Sequence, residues 1–191
     1  MSCNFSLKHY EECIKKISES KYENTMLHDV DFWTDNMNHI LKIEIEYNIR
    51  SIWFFRFHAK NYNLLSYDNI NFLKKFKPLN NVQCGIHIEP FYLNEFNLID
   101  EQITIIERII DKPIKYGSIH EPTRFPFENI SFKSKLEIIS YKSDFMNNKK
   151  YISDSSSNWR EGCMCKHIDN QNLVVLTHPN WWYEKYSGEI Y

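Results

Sequence analysis

At 191 residues the chain has the length of a single domain, 1–191, with a core expected over about 25–182; 42% hydrophobic and 16% aromatic content is that of a globular protein. A formal net charge of -2, with no run of like charge, argues against nucleic acid as a partner and leaves small-molecule or glycan chemistry. The start, Met1 to Lys8, lacks the apolar core of a signal peptide, and no segment approaches the ~20 apolar residues that span a bilayer, so a cytoplasmic location without a membrane span is expected.

Strand-like and helix-like stretches alternate along the chain. The run Thr25-Met26-Leu27 leads a strand that ends at Asp31. A helix is expected from about Thr34 to Tyr47, with Met37, Ile40, Leu41, Ile43 and Tyr47 at three- and four-residue spacing. Ser51 to Phe57 is too short for a buried helix and rich in β-formers, so it reads as the next strand, and strand–helix–strand implies a parallel crossover. A polar loop, Lys60-Asn61-Tyr62-Asn63, a short helix near Asp68 to Phe76 and a strand from Val82 to Glu89 repeat the pattern. An amphipathic helix follows from about Asn94 to Ile110, with Leu98, Ile99, Ile103, Ile106, Ile109 and Ile110 on its inner side. Further strands are expected at Lys115–His120, Leu136–Tyr141, Lys150–Ser153 and Leu173–Thr177, which makes about seven in α/β alternation. An open doubly wound sheet and a distorted or partial (β/α) barrel both fit. Only four glycines are present, and no Gly-x-Gly-x-x-Gly or Walker sequence, so nucleotide cradling is poorly supported.

Chemistry concentrates where the strands stop. In His28-Asp29-Val30-Asp31 alternate residues share a side of the strand, so Asp29 and Asp31 project together, with His28 and Val30 opposite. Two carboxylates so close can bind a cation while one acts as a base, although Asp-x-Asp also occurs in helix caps and polar turns. His87, His120 and His178 each follow a β-type apolar run and stand shortly before Pro90, Pro122 and Pro179, and proline stops a strand because it lacks the N–H and restricts its predecessor. Polar ends from several strands favour a barrel, where they converge on one mouth. The five cysteines are an odd number and are expected to be reduced. Cys163-x-Cys165-x-His167 has ligand types for a second metal, but its spacing is not that of a zinc knuckle, and an ordinary loop is the preferred reading.

In motif order from Leu27 to Trp182 the chain resembles the NodB-type polysaccharide deacetylases, the family-four carbohydrate esterases, and among them a divergent branch found with capsule and surface-polysaccharide biosynthesis proteins. The resemblance implies a distorted (β/α) barrel, a divalent metal, most often zinc, and hydrolysis of N- or O-acetyl groups on an acetylated sugar or polysaccharide precursor. It implies Asp29 as base and Asp31 as metal ligand. His87 matches the first of two motif histidines, but Phe91 stands four residues later, where the family has the second. His120, ending the next strand, is taken as the third ligand, with Glu89 as its rival. Asp154 and Trp159, with Arg160 beside them, resemble the Asp–Trp motif that lines the pocket, and Arg160 is expected to orient Asp29 or Asp154 by a bidentate pair. Leu176-Thr177-His178 matches the Leu-x-His motif and implies His178 as general acid. Trp181 and Trp182 follow it, and Trp159, Trp181, Asn61 and Asn63 are candidate sugar contacts, although paired tryptophans near a C-terminus are as often core plugs. Two other readings stand beside this one: a non-catalytic carbohydrate-binding or assembly protein on the same fold, and a metal-dependent hydrolase of another C–N bond.

Overall fold

The computed structural model describes residues 3–92, 95–122, 136–139 and 144–183. Its strands are β1 (Asn24–Val30), β2 (Ser51–Phe55), β3 (Val82–Ile88), β4 (Tyr116–Ile119), β5 (Glu137–Ile138), β6 (Lys150–Ser153) and β7 (Leu173–Thr177). They form one sheet in the order β5-β4-β3-β2-β1-β7-β6, and every pairing is parallel. The sheet curls into a half-barrel, a distorted partial (β/α) barrel. Four α-helices are present among the described residues: α1 (Leu7–Glu19), α2 (Asn36–Glu46), α3 (Tyr67–Leu73) and α4 (Phe96–Ile110). The last three link β1 to β2, β2 to β3 and β3 to β4, the crossovers that parallel pairing requires.

Strand periodicity sorts the side chains between two layers. Met26, Val30, Trp53, Phe55, Ile86 and Val175 pack outward against Tyr10 and Ile14 of α1, Met37, Ile40 and Leu41 of α2, and Ile99, Ile103, Ile106 and Ile110 of α4. The helical residues recur every three or four positions, which places them on one stripe facing the sheet. Inside the curl a smaller cluster, Leu27, Ile52, Phe54, Ile139, Phe145 and Val174, fills the space, Phe145 coming from the 3-10 turn Asp144–Met146 and the others from strands or their ends. Gly85 is required there: a Cβ at that position would stand 2.6 Å from the Phe54 ring and 2.8 Å from the Tyr116 carbonyl oxygen. Toward the carboxyl ends of the strands this inner apolar layer gives way to polar groups, Asp29 on β1, His87 on β3 and His178 after β7.

The four expectations for β1 to β4 differ from the observed elements by two residues or fewer at either end, and Lys150–Ser153 and Leu173–Thr177 coincide with β6 and β7. The short helix ends as α3 and continues as a 3-10 turn, Lys74–Phe76. Of Leu136–Tyr141 only Glu137–Ile138 is strand, and residues 140 and 141, like 94 at the expected start of α4, lie outside the described residues. Leu98 is 42% exposed and not on the inner side of α4, because the buried stripe runs through Ile99, Ile103, Ile106 and Ile110. Helix α1 had no counterpart in the sequence reading. Its signals are ordinary: Ser6 accepts a hydrogen bond from the His9 N–H as N-cap, and Leu7, Tyr10, Cys13, Ile14 and Ile17 line its buried face. No helix among the described residues is long and apolar enough to cross a membrane.

Candidate metal and acid–base site

At the carboxyl end of the sheet, inside the curl, Asp31 follows β1, His87 sits on β3, His120 follows β4 and His178 follows β7. Register brings them together: β1 is flanked by β2 and β7, and His87 lies opposite Ser118 across the β3–β4 pair. Asp31 Oδ1 is 3.1 Å from His120 Nδ1 and 3.5 Å from His87 Nε2, and the two imidazole nitrogens are 3.2 Å apart. Bonds of about 2.0–2.1 Å around a tetrahedral zinc ion place neighbouring ligand atoms about 3.3 Å apart, so this triangle has the dimensions of one face of such a site. Asp31 Oδ1 is buried without a hydrogen-bond partner, an acceptor that a cation would satisfy. These three residues form one of two groups among the described residues able to hold a metal ion.

His87 is held in a defined tautomer. Ser118 Oγ donates to Asp29 Oδ1 at 3.0 Å and lies 2.6 Å from His87 Nδ1, so with the hydroxyl proton spent on Asp29 it accepts from Nδ1–H. That leaves the Nε2 lone pair facing Asp31 and His120, the arrangement a metal-ligating histidine needs from its outer partner. Ser118 was not singled out from the sequence, although it is two residues before His120 on the same face of β4. Removing its hydroxyl, Ser118→Ala, is expected to weaken metal binding by about 10–100-fold, read by competition with a chromophoric chelator. An unchanged affinity would mean that something else orients the ring.

Charge around the triangle is mutually supporting. Burial works to raise the Asp31 carboxyl, but the imidazoles of His120, His87 and His178 outweigh it and hold it well below the usual carboxylate range. Burial lowers His87, yet the carboxylates of Asp29 and Asp31 leave it raised. On the other side of Asp31, His178 Nε2 is 3.9 Å from Oδ2, while His178 Nδ1 donates to Asp154 Oδ1 at 2.6 Å. Asp154, fully buried, also accepts from the His178 backbone N–H and from Trp182 Nε1 at 3.1 Å. Burial opposes charge on His178, but Asp154, with Asp29 and Asp31 behind it, pushes it up to about 9.

Several expected site residues stand elsewhere. Glu89 is buried against Arg56, whose Nε and Nη2 lie 2.6 and 2.5 Å from the same carboxylate oxygen, so it serves the arginine and is not in the ligand triangle. Arg56, which sequence reasoning passed over, reaches to 3.7 Å from Asp31. Arg160 is exposed and pairs with neither Asp29 nor Asp154; Trp182 and the His178 backbone hold Asp154 instead. Trp159 is half-buried and commits its ring to Phe5 and Trp182, and Trp181 packs on the outer core with its Nε1 buried and unbonded. Both are therefore packing residues first. Asn63 builds the turn into α3, its Oδ1 accepting from the Leu65 N–H, whereas Asn61 is exposed on the same loop. Phe91 is 61% exposed, away from the position where a second motif histidine would point inward. His28 belongs to the outer layer, where its Nε2 meets Glu44 at 2.6 Å. His167 does not join Cys163 and Cys165 at a metal position; its Nε2 donates to the Glu161 carbonyl at 2.8 Å.

Comparison with known protein families and with curated proteins finds no match to this chain. What stands is a seven-stranded parallel half-barrel with a His/Asp cluster able to hold a metal at the carboxyl ends of its strands, and that arrangement makes a catalytic centre possible.

Proposed function

We propose that the protein is a metal-dependent hydrolase that removes an acetyl group from a sugar or glycan precursor. The observation that carries this reading is the meeting of Asp31, His87 and His120 with two further acid–base groups, Asp29 and the Asp154–His178 pair, around one mouth. The motif order shared with NodB-type deacetylases supports it. Asp31, His87 and His120 would hold a divalent ion, zinc by the carboxylate and imidazole donor set; such an ion polarises a carbonyl and acidifies water. Asp29 takes the proton from the attacking water. Protonated His178 gives a proton to the departing amine or alkoxide, and Asp154 keeps that imidazole charged and aimed. Arg56 holds positive charge beside Asp31.

Metal analysis of protein purified without chelator tests the ligand set. Asp31→Ala, His87→Ala and His120→Ala are each expected to lose one ion relative to the wild type, whereas Glu89→Gln keeps it. Loss in Glu89→Gln with retention in His120→Ala would transfer the role to Glu89. A protein with no ion at Asp31 fits a non-catalytic sugar-binding or assembly role. One that carries zinc but releases no acetate from acetylated amino sugars, nucleotide sugars or oligosaccharides fits a hydrolase of another C–N bond.

A further inference from the structure

A second group of ligands gathers on the opposite, convex side of the sheet. Cys3 precedes α1, His9 lies in the first turn of α1, and Cys163 and Cys165 flank Met164 in the connection from β6 to β7. His9 Nε2 is 3.2 Å from Cys163 Sγ, Cys3 Sγ is 3.3 Å from Cys165 Sγ, and all four ligand atoms lie within 4.8 Å of one another. We propose that Cys3, His9, Cys163 and Cys165 bind a structural zinc ion that clasps the amino-terminal segment to the β6–β7 connection.

The donor set decides which kind of site this is. Three thiolates and one imidazole make a closed tetrahedron with no open position, the composition of structural zinc, whereas the Asp31 cluster offers three ligands and leaves a position free. Zinc–sulfur bonds of about 2.3 Å and zinc–nitrogen bonds of about 2.0–2.1 Å require neighbouring ligand atoms about 3.5–3.8 Å apart, a small adjustment from the distances present. His9 is 3% exposed, its Nδ1 has no hydrogen-bond partner, and its Nε2 faces only sulfur, from Cys163 and from Cys13 at 3.6 Å. Thiols are weak hydrogen-bonding partners, so a bare imidazole is poorly satisfied there and a metal-bound one is well satisfied. Glu12 Oε2 lies 3.8 Å from Nδ1, beyond hydrogen-bond distance but on the side from which a carboxylate could orient a ligating histidine.

The clasp acts on the other site only at a distance. The β6–β7 connection begins at Asp154, which holds His178, and carries Trp159, which stacks on Phe5 in the segment between Cys3 and α1. The Leu7 N–H also bonds to the Tyr183 carbonyl, so the same segment meets the chain just after Trp182. An ion at the cysteines would fix the wall behind the Asp154–His178 pair.

The test uses the Asp31→Ala chain, purified in the presence of zinc and a thiol reductant, so that the outcome does not depend on the hydrolase reading. Expected are one tightly held zinc ion per chain and an X-ray absorption spectrum with three sulfur neighbours near 2.3 Å and one nitrogen. Adding Cys3→Ala, at an exposed position where folding loses little, should weaken zinc binding at least tenfold, and cobalt in place of zinc should show sulfur-to-metal charge transfer that this second change diminishes. Cys13→Ala and His167→Ala should leave the ion in place. A metal-free chain with all thiols titratable, a Cys3–Cys165 disulfide formed under these reducing conditions, or a zinc spectrum with only oxygen and nitrogen neighbours would each overturn the assignment.

Discussion

Asp29→Asn and His178→Ala should each keep the fold and the ion at Asp31 while lowering acetate release from an acetylated sugar by about 10²–10⁴-fold, the worth of one positioned proton-transfer group. The pH profile tells the two apart. The acidic limb, which requires an ionised base, should vanish in Asp29→Asn; the basic limb, which requires a protonated acid, should vanish in His178→Ala. The position of the basic limb follows from Asp154. Without a metal, His178 is pushed up to about 9 from its usual 6.5, and a cation beside Asp31 opposes part of that rise, so the limb should fall between these values. In Asp154→Asn it should move down toward 6.5, with activity at neutral pH falling as the protonated fraction is lost. A basic limb unmoved by Asp154→Asn would remove His178 from the role of acid.

The second large effect is on stability and arises on the other face of β1. Glu44 is fully buried on the apolar stripe of α2 and accepts from Tyr10 Oη at 2.7 Å, Ser51 Oγ at 2.8 Å and Trp53 Nε1 at 2.8 Å, besides meeting His28 at 2.6 Å. His28 in turn contacts Thr177 Oγ1 at 2.8 Å, so one carboxylate ties α1, α2, β1 and β2 together and reaches β7 through the histidine. Glu44→Ala leaves four buried polar partners without their acceptor. The expected cost is about 3–5 kcal/mol, a large part of the ~5–15 kcal/mol that a domain has. Urea unfolding should show a lower midpoint with an unchanged slope. Burial works to raise the Glu44 carboxyl, but His28, Tyr10 and Trp53 outweigh it and leave it lowered. The folded group therefore stays ionised below the pH at which the unfolded one protonates. Its contribution is present above about 4.5, the ordinary glutamate value, and is lost as pH falls below that. The difference between wild type and Glu44→Ala should thus shrink in acid. A cost below about 1 kcal/mol at neutral pH would mean that the network is solvated or rearranges freely.

Strand ends were legible in the sequence because a local rule governs them. A β-type run followed by a polar residue and a proline stops where it is read, and His87, His120 and His178 all lie at or just beyond the carboxyl ends of their strands. His120 could also be read from the sequence as the polar end of the strand after that of His87, and the fold brings both beside Asp31. Proximity along the chain was a poor guide elsewhere. Trp159 and Arg160 are only five and six residues from Asp154, yet the 3-10 turn Ser155–Ser157 intervenes, with Ser156 and Ser157 at positive φ, and neither residue becomes a partner of Asp154.

Periodicity by itself determined that this chain alternates strand and helix, that its sheet is parallel, and that Asp29 and Asp31 share one face of β1 while His28 takes the other, because those properties depend only on residues a few positions apart. Tertiary structure alone decided the company each group keeps. That Ser118 fixes the His87 tautomer, that Arg56 takes Glu89 out of the ligand set, that Glu44 gathers four donors and that Cys3 and His9 meet Cys163 and Cys165 all depend on contacts between distant parts of the chain, set by strand order and register. A side chain's residue type states what chemistry it can do; which partner stands within about 3 Å of it is settled only when the sheet curls.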